Sequence, residues 1–432
     1  MTASIGMRFY RVFAKGVQTC ALPFVVSAER LEKTSEIFEV PEARLRYAEP
    51  NRVWFHAASV GELESLWPLI EMAALEGDTS VVLTVFSSSA YEHVLRTMKR
   101  LPTGRVIFAG YSPFEGDWIR ALKKLRPSLF VTAKYEAWPE LWNALATEDV
   151  PLAIVGAKLR SSLKLAKAIL RVVGGRMPRM TLFTFRAINA SALQKAFPEA
   201  VIEKVSDPRW DRVFARASLK QDRVQALLER YGTLPRPWAV FGSAWGSDLA
   251  EVFRHRIRDW AGTPIVVPHK IDPKSVKELE ILVRDLGFSP VRTTDTSGVL
   301  PAGRIALIVD EMGFLAELYA QADWAFVGGG FGAGVHSTIE PAIFGLPIFS
   351  GPAGSEKFDE IAILEEQGQL QLLKAAPDWE RMARAALGRL EPWQERKSEW
   401  MAAARSHQGT SQVIWRKLVL VRRTGVAPRA QI

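Results

Sequence analysis

The chain has 432 residues, 48% of them hydrophobic, enough to fill two ordinary cores and more than one continuous core usually holds. Charged residues make up 24% and Leu, Val, Ile and Phe are plentiful, which excludes a disordered chain. A formal charge of +9 and a pI of about 9.6 call for an anionic partner: a phosphorylated small molecule, an acidic membrane surface or nucleic acid.

The first stretch, Met7 to Val26, mixes apolar residues with Arg8, Arg11, Lys15 and Gln18 and contains Pro23, too interrupted for a signal peptide. Residues 1–50 are therefore expected to lie on a membrane or to pack against the first domain. No apolar run approaches the roughly 18 residues of a membrane span. The single cysteine, Cys20, allows no intramolecular disulfide and fits a reducing compartment.

From there, short Val/Ile/Phe-rich runs alternate with helical patterns. Val53–Ala57, Val81–Phe86, Val106–Ala109, Leu129–Ala133, Leu152–Val155 and Leu182–Phe185 read as strands. Leu63–Leu75, Ala90–Arg100, Trp118–Leu125 and Ala137–Ala146 read as helices between them. Between Lys158 and Arg186 stand eight Lys or Arg and no acid, interleaved with Leu163, Leu165, Ile169, Leu170, Val172 and Val173. Such a basic apolar helix is either a membrane-facing surface or a solvated face over the core. A pause near Ser206-Asp207-Pro208 and Gly232 to Pro237 precedes a second alternating series. Its strands are expected at Trp238–Phe241, Pro264–Val267, Ile305–Val309, Trp324–Val327 and Pro347–Phe349. Two successive parallel α/β domains follow, residues 51–215 and 216–410, with a helix and tail over 411–432. Parallel sheets bind ligands at the carboxyl ends of their strands, so the residues just after each strand matter most.

Four segments lie there. His56-Ala57-Ala58-Ser59-Val60-Gly61-Glu62 follows the first confident strand. Its carboxylate, at the positive end of a helix, suits a general base, but Ser59 and Glu62 also have the spacing of a capping box, which needs no function. Lys134-Tyr135-Glu136 follows Leu129–Ala133 and reads equally as an ion pair or as an anion site with a carboxylate beside it. Gly242-Ser243-Ala244-Trp245-Gly246-Ser247-Asp248 offers small residues that let amides approach a phosphate, or simply make a tight turn. Gly328-Gly329-Gly330-Phe331-Gly332-Ala333-Gly334-Val335-His336-Ser337-Thr338-Ile339-Glu340 holds five glycines in seven residues. It permits close backbone approach to a ligand, and a helix starting near Ser337 would present free amides. Ser337 and Glu340 again have capping-box spacing. His269-Lys270, after Pro264–Val267, adds a possible phosphate or base contact. No motif of metal ligands is present.

In order and spacing, HAASVGE, YSPF, KYEAWPELW, SDPRWDRV, GSAW, VPHK and VGGGFGAGVHSTIEPAIFGLPIFSGP resemble the 3-deoxy-D-manno-octulosonic acid (Kdo) transferases of lipid A assembly. The resemblance implies a GT-B glycosyltransferase, two Rossmann-like α/β domains facing a central cleft. It implies a CMP-Kdo donor, a lipid A precursor as acceptor, inversion, no cofactor, no metal in the chemical step, and a place on the cytoplasmic face of the bacterial inner membrane. By it Glu62 is the catalytic base, and Ser59, Gly61, Lys134 and Glu136 contact the acceptor or the donor sugar. The donor nucleotide falls to Ser243, Trp245, His269, Lys270, Gly329, Gly330, Gly332, Gly334, His336, Ser337 and Thr338, with Glu340 on the ribose. The chain departs from the pattern at Lys134, where many relatives have Glu, and after Pro268, where they have Arg. The same fold also hosts UDP-sugar transferases and nucleotide-sugar epimerases. A non-catalytic membrane or nucleic-acid binder would need neither Glu62 nor the glycine loop, and no nucleic acid is expected.

Overall fold

The computed structural model describes residues 4–14, 28–47, 51–134, 136–218, 222–255, 260–295, 300–313 and 315–424. Cys20 and Tyr135 lie outside them, as do parts of the N-terminal segment and of the C-terminal tail. The chain divides into two compact units, Met1–Asp211 with Gly409–Ile432, and Arg212–Gln408.

The first unit is built on seven strands: β1 (Asn51–Ala57), β2 (Thr79–Val85), β3 (Val106–Tyr111), β4 (Leu129–Ala133), β5 (Leu152–Val155), β6 (Met180–Thr184) and β7 (Val201–Lys204). They form one sheet in the order β3-β2-β1-β4-β5-β6-β7, every pair parallel. Both faces are covered, which is why the strands read as continuous apolar runs rather than alternating ones. Val53, Phe55 and Ala57 of β1 point to one face and pack with the helix Val60–Leu75, while Trp54 points to the other, with Trp118 and Phe130. The helix Thr410–Thr424 returns to the first face, where Ile414, Trp415, Leu418 and Val421 join the same core. Its start is fixed by Asp211, whose carboxylate accepts from the amides of Gly409 (2.6 Å) and Ser411 (2.7 Å).

The second unit repeats the plan with β8 (Trp238–Ala244), β9 (Thr263–Pro268), β10 (Ser289–Arg292), β11 (Ile305–Ile308), β12 (Trp324–Val327), β13 (Ile348–Ser350) and β14 (Leu370–Leu372). Their order is β10-β11-β9-β8-β12-β13-β14, again all parallel. Phe241, Trp260, Trp324 and Phe326 stack on one face, with Val240, Leu307 and Ala325 on the other.

In both sheets the chain starts near the middle, builds to one side and then crosses back. The reversal falls between β1 and β4 in the first unit and between β8 and β12 in the second. A crevice opens at such a switch point, outside the carboxyl ends of the strands, and this is where open α/β sheets bind ligands. The segments singled out in the sequence follow β1 and β4, and β8 and β12.

Along the N-terminal segment a helix covers residues 5–14, followed by short helices at Ala28–Lys33, Glu36–Glu39 and Glu42–Tyr47. The 5–14 helix is tied down on one side only. Met7 is buried in the second-face core, Tyr10 Oη donates to Glu115 Oε1 at 3.0 Å, and Arg11 Nε donates to Glu140 Oε1 at 3.1 Å. Its other side exposes Ile5, Phe9, Val12 and Phe13, each about 70% accessible. No helix among the described residues is long and apolar enough to cross a membrane.

Candidate functional site

In the first unit the site begins where β1 ends. Ser59 is extended (φ −133°, ψ 165°) and caps the helix Val60–Leu75, its hydroxyl accepting from the Glu62 amide at 3.4 Å. Glu62 reaches back in turn, but Oε2 accepts from the Ala58 amide at 2.7 Å instead of closing the box on Ser59. The capping reading of Ser59 and Glu62 is therefore real, and it leaves Glu62 a buried carboxylate (8% accessible) at the strand end. Burial and the negative charge of Glu136 raise its pKa; the Ala58 amide, Lys134 and His56 oppose them. A carboxyl raised toward neutrality is a stronger base than an exposed one, the property proton abstraction from a hydroxyl needs. A Cβ at Gly61 would meet nothing within 4 Å, so the surface beside Glu62 is open.

Across the switch point, β4 is followed by Lys134 (φ 57°) and Glu136. The Trp138 indole donates to Glu136 Oε2 at 2.6 Å, and His56 Nε2 lies 3.5 Å from the same oxygen. Burial alone would raise Glu136, but His56 and the indole N–H outweigh it and hold the carboxylate below its usual range. The two carboxylates thus differ in kind: Glu136 is held anionic and Glu62 is the one pushed upward. Lys134 bears electrostatically on Glu62 and on the buried Asp207, which is paired with Arg209 at 2.7 Å. Lys134 is thus one of the cations, with Arg209, that act on this acidic group.

In the second unit, the residues after β8, β9 and β12 meet. The Trp245 ring stacks on His269 (centroids 4.4 Å apart, 19°), and His269 on His336 (4.5 Å, 18°). The Trp245 indole donates to His336 Nε2 at 3.1 Å, which requires that nitrogen to be unprotonated. Burial, with His269 alongside, pushes the His336 pKa down to about 4, so the ring is neutral and remains an acceptor. His269 is lowered too, by burial and by Lys270, whose ammonium stands 5.6 Å from the Trp245 ring centre. The result is an aromatic slab with a cation on its flank, suited to a planar base and an anionic group.

The glycine loop is organised by a residue that the sequence reading passed over. Asp248, fully buried, accepts from the amides of Gly329 (2.8 Å), Trp245 (3.0 Å) and Phe331 (3.3 Å), tying the loops after β8 and β12 together. Gly329 sits at φ +87°, and its carbonyl accepts from Gly332 (3.1 Å) and Gly334 (2.8 Å). A Cβ on Gly330 would collide with the Gly351 backbone, so this glycine is required by packing. Gly332 differs: the closest atom to an added Cβ is Ser247 Oγ at 3.2 Å. Ser243 contributes by backbone, its carbonyl oxygen filling the space where a Gly328 Cβ would stand.

Two expectations change here. The helix expected near Ser337 is one turn, Ile339–Ala342, whose N-cap is Thr338 with no side-chain cap bond, so Ser337 and Glu340 form no capping box. Gly345, at φ +66°, and Pro347 just beyond it end the helix before a second turn can form. The loop's amides are also largely engaged within the protein: those of Gly329, Phe331, Gly332, Gly334 and His336 all have partners. The loop is thus a rigid platform more than an open cradle of N–H groups. Thr338 is buried and its hydroxyl has no hydrogen-bond partner, which marks the polar end of that platform. Ser337 and Glu340 flank it, half-buried.

His56 is the other residue to which sequence reasoning assigned no role, and it contacts both Thr84 and Glu136. The available signal was a histidine inside an apolar strand covered on both faces, where a polar ring needs partners.

Two doubly wound parallel units in one chain are the GT-B architecture. The UDP-GlcNAc 2-epimerase from Neisseria meningitidis, bound to UDP-GlcNAc, shares this fold at a TM-score of 0.54, with 10% identity, over 85% of this chain and 99% of that one. Sequence separates the families that share the fold. The model of the family described as 3-deoxy-D-manno-octulosonic-acid transferase (kdotransferase) matches residues 28–202. The chain is 26% identical over 364 residues to the 3-deoxy-D-manno-octulosonic acid transferase of Haemophilus influenzae, covering 79% of this chain and 80% of that protein. It is 25% identical over 324 residues to the same-named protein of Aquifex aeolicus, covering 73% and 80%. Residues 28–202 thus carry the match to that family's model, and the likeness to proteins of that name runs over 79% and 73% of the chain.

Proposed function

We propose that the protein transfers Kdo from CMP-Kdo to a hydroxyl of a lipid A precursor, with Glu62 as general base. The observation that carries this reading is the carboxylate itself: buried, raised in pKa, and set at the switch point of the first sheet beside open surface at Gly61. Glu62 takes the proton of the acceptor hydroxyl while that oxygen attacks the anomeric carbon of Kdo. The bond from that carbon to the CMP phosphate oxygen breaks in the same displacement, so the configuration inverts. Ser59 holds the start of the helix that carries Glu62, and Lys134 and Glu136 meet the polar groups of the sugars.

CMP is assigned to the second unit. The slab of Trp245, His269 and His336 faces the base, Lys270 and the Thr338 hydroxyl meet the phosphate, Glu340 holds the ribose, and the loop from Gly329 to Gly334 shapes the floor. The leaving group is met by these groups without a metal in the chemical step.

The acceptor is a lipid, and the exposed apolar residues support a peripheral place on the cytoplasmic face of the inner membrane. Beside Ile5, Phe9, Val12 and Phe13, the helix Ser161–Val172 buries Leu163, Ala166 and Leu170 and exposes Leu165 next to Lys164 and Val172 next to Arg171. A basic, apolar, exposed surface of this kind suits anionic headgroups. Lys167 on the same helix is turned inward, donating to the Ala196 carbonyl, and takes no part in that surface.

The test is release of CMP from freshly made CMP-Kdo, with and without a tetraacyl lipid A precursor, repeated in a chelator, with turnover of UDP-GlcNAc measured in parallel. Acceptor-dependent release from CMP-Kdo alone, unaffected by the chelator, is expected. Turnover of UDP-GlcNAc instead moves the protein to the epimerases or UDP-sugar transferases of this fold, and a rate abolished by the chelator removes the metal-free step.

A further inference from the structure

Behind the Glu62–Glu136 pair runs a buried string of hydrogen bonds that the reaction as described does not use. The Trp54 indole, a donor only, gives its proton to Thr84 Oγ1 at 2.8 Å. The same hydroxyl lies 3.0 Å from His56 Nδ1. His56 has no accessible surface, and its ring meets Trp118 edge-on at 5.6 Å. Its remaining nitrogen, Nε2, is buried with no well-formed hydrogen bond and lies 3.5 Å from Glu136 Oε2.

The tautomer follows from these partners. A bare Nε2 would turn its lone pair toward a carboxylate oxygen in a dry interior, which is repulsive. With Nε2 protonated and Nδ1 accepting from the Thr84 hydroxyl, whose lone pair already serves Trp54, every member of the string is satisfied. The string from β1 and β2 therefore ends on the same Glu136 oxygen that the Trp138 indole holds.

We propose that His56 is a positioning residue for the transfer: fixed by Trp54 and Thr84, it directs an Nε2 proton at Glu136 and keeps that carboxylate anionic, so that the mobile proton of the pair resides on Glu62. This rests on Glu62 being the base. The proton taken from the acceptor hydroxyl then ends on Glu62 and not on its neighbour, and the charge of Glu136 keeps Glu62 basic. The other charged groups facing the pair are Lys134, at the end of β4, and beyond it the Asp207–Arg209 pair. They act on Glu62 through space and are untouched by changes at His56 or Thr84.

Three variants test this: His56→Leu, His56→Gln, which keeps an N–H donor, and Thr84→Val, nearly isosteric and the safest for folding. Without the donor, Glu136 binds a proton more readily and the pair takes its first proton at higher pH. The acid limb of the kcat/KM profile therefore moves to higher pH in His56→Leu. At pH values below the limb, the rate falls about ten-fold for every 1.0 in pH that the limb moves. Thr84→Val moves it less in the same direction, His56→Gln recovers most of the loss, and the donor KM is unchanged in all three. In a Glu136→Gln background, His56→Leu produces no further displacement. Profiles that overlay the wild type after scaling, or effects that add fully in the double variant, overturn the proposal and make His56 an ordinary core residue. Nitrogen-15 spectra of the imidazoles need no substrate. The resonance lost in His56→Gln is expected to report a protonated Nε2, and a bare Nε2 there overturns the proposal even if the protein proves to use another donor.

Discussion

Glu115 offers the sharpest prediction about stability. It sits in the loop after β3, buried, with Oε1 accepting from Tyr10 Oη (3.0 Å) and from the Glu140 amide (2.6 Å), while Oε2 has no partner. Burial, with the charge of Glu140 beside it, raises its pKa from 4.5 to about 8 against the pull of those hydrogen bonds and of Arg11. The folded protein therefore holds a proton there that the unfolded chain releases above its own pKa. Stability from this group is full below pH 4.5 and is lost as pH rises to about 8, at about 1.4 kcal/mol per pH unit and up to about 5 kcal/mol in all. Glu140, also raised by burial, adds in the same direction. Glu115→Gln mimics the protonated carboxyl: its amide oxygen can accept both hydrogen bonds, and it has nothing to ionise. Thermal unfolding of wild type and variant should agree at pH 5 and diverge with pH, the variant being the more stable at pH 8.5. Protection factors of the amides in residues 5–14, which Tyr10 and Arg11 fasten to this pair, should fall with pH in the wild type only. A melting difference independent of pH from 5 to 8.5 would refute the reasoning.

Four further outcomes follow from the geometry. Gly330→Ala forces a Cβ against the Gly351 backbone and should destabilise the second unit by about 1–3 kcal/mol. Gly332→Ala meets only the Ser247 hydroxyl, should fold normally and should weaken CMP binding in calorimetry; unchanged affinity would make that part of the loop a mere turn. Asp248→Ala strands three buried amides, at about 1–3 kcal/mol each, and should lower both the melting point and CMP affinity, with Asp248→Asn intermediate; CMP affinity unchanged in both would contradict its place in the loop. Phe9→Asp with Phe13→Asp should abolish flotation with anionic vesicles, and Lys164→Gln with Arg171→Gln should weaken it most at low salt; unaltered partitioning would remove the membrane surface.

The central strands and their ligand-binding ends were legible because buried parallel strands are uninterrupted apolar runs, and those of β1, β4, β8 and β12 are strong. The strands missed, β7, β10 and β14, include the edges of both sheets. Ser289-Pro290-Val291-Arg292 carries a proline and two polar residues, and β14 is three residues long. Ser59 was legible as a cap because capping depends on local spacing. The helix expected at Ser337 comes out shorter because spacing suggests a cap, while the left-handed turn at Gly345 decides the length. His56 and Asp248 escaped because their roles depend on atoms far away in sequence: Thr84 and Glu136 for one, the amides after β12 for the other.

The most direct measurement is a comparison of Glu62→Gln with the wild type in acceptor-dependent CMP release, alongside CMP binding and melting temperature. The side-chain amide oxygen of this variant can still accept from the Ala58 amide, so the fold, the cap and nucleotide binding should persist while transfer falls by about a hundred-fold or more. A variant that binds CMP, melts like the wild type and still transfers at a comparable rate would show that Glu62 is a cap and nothing more.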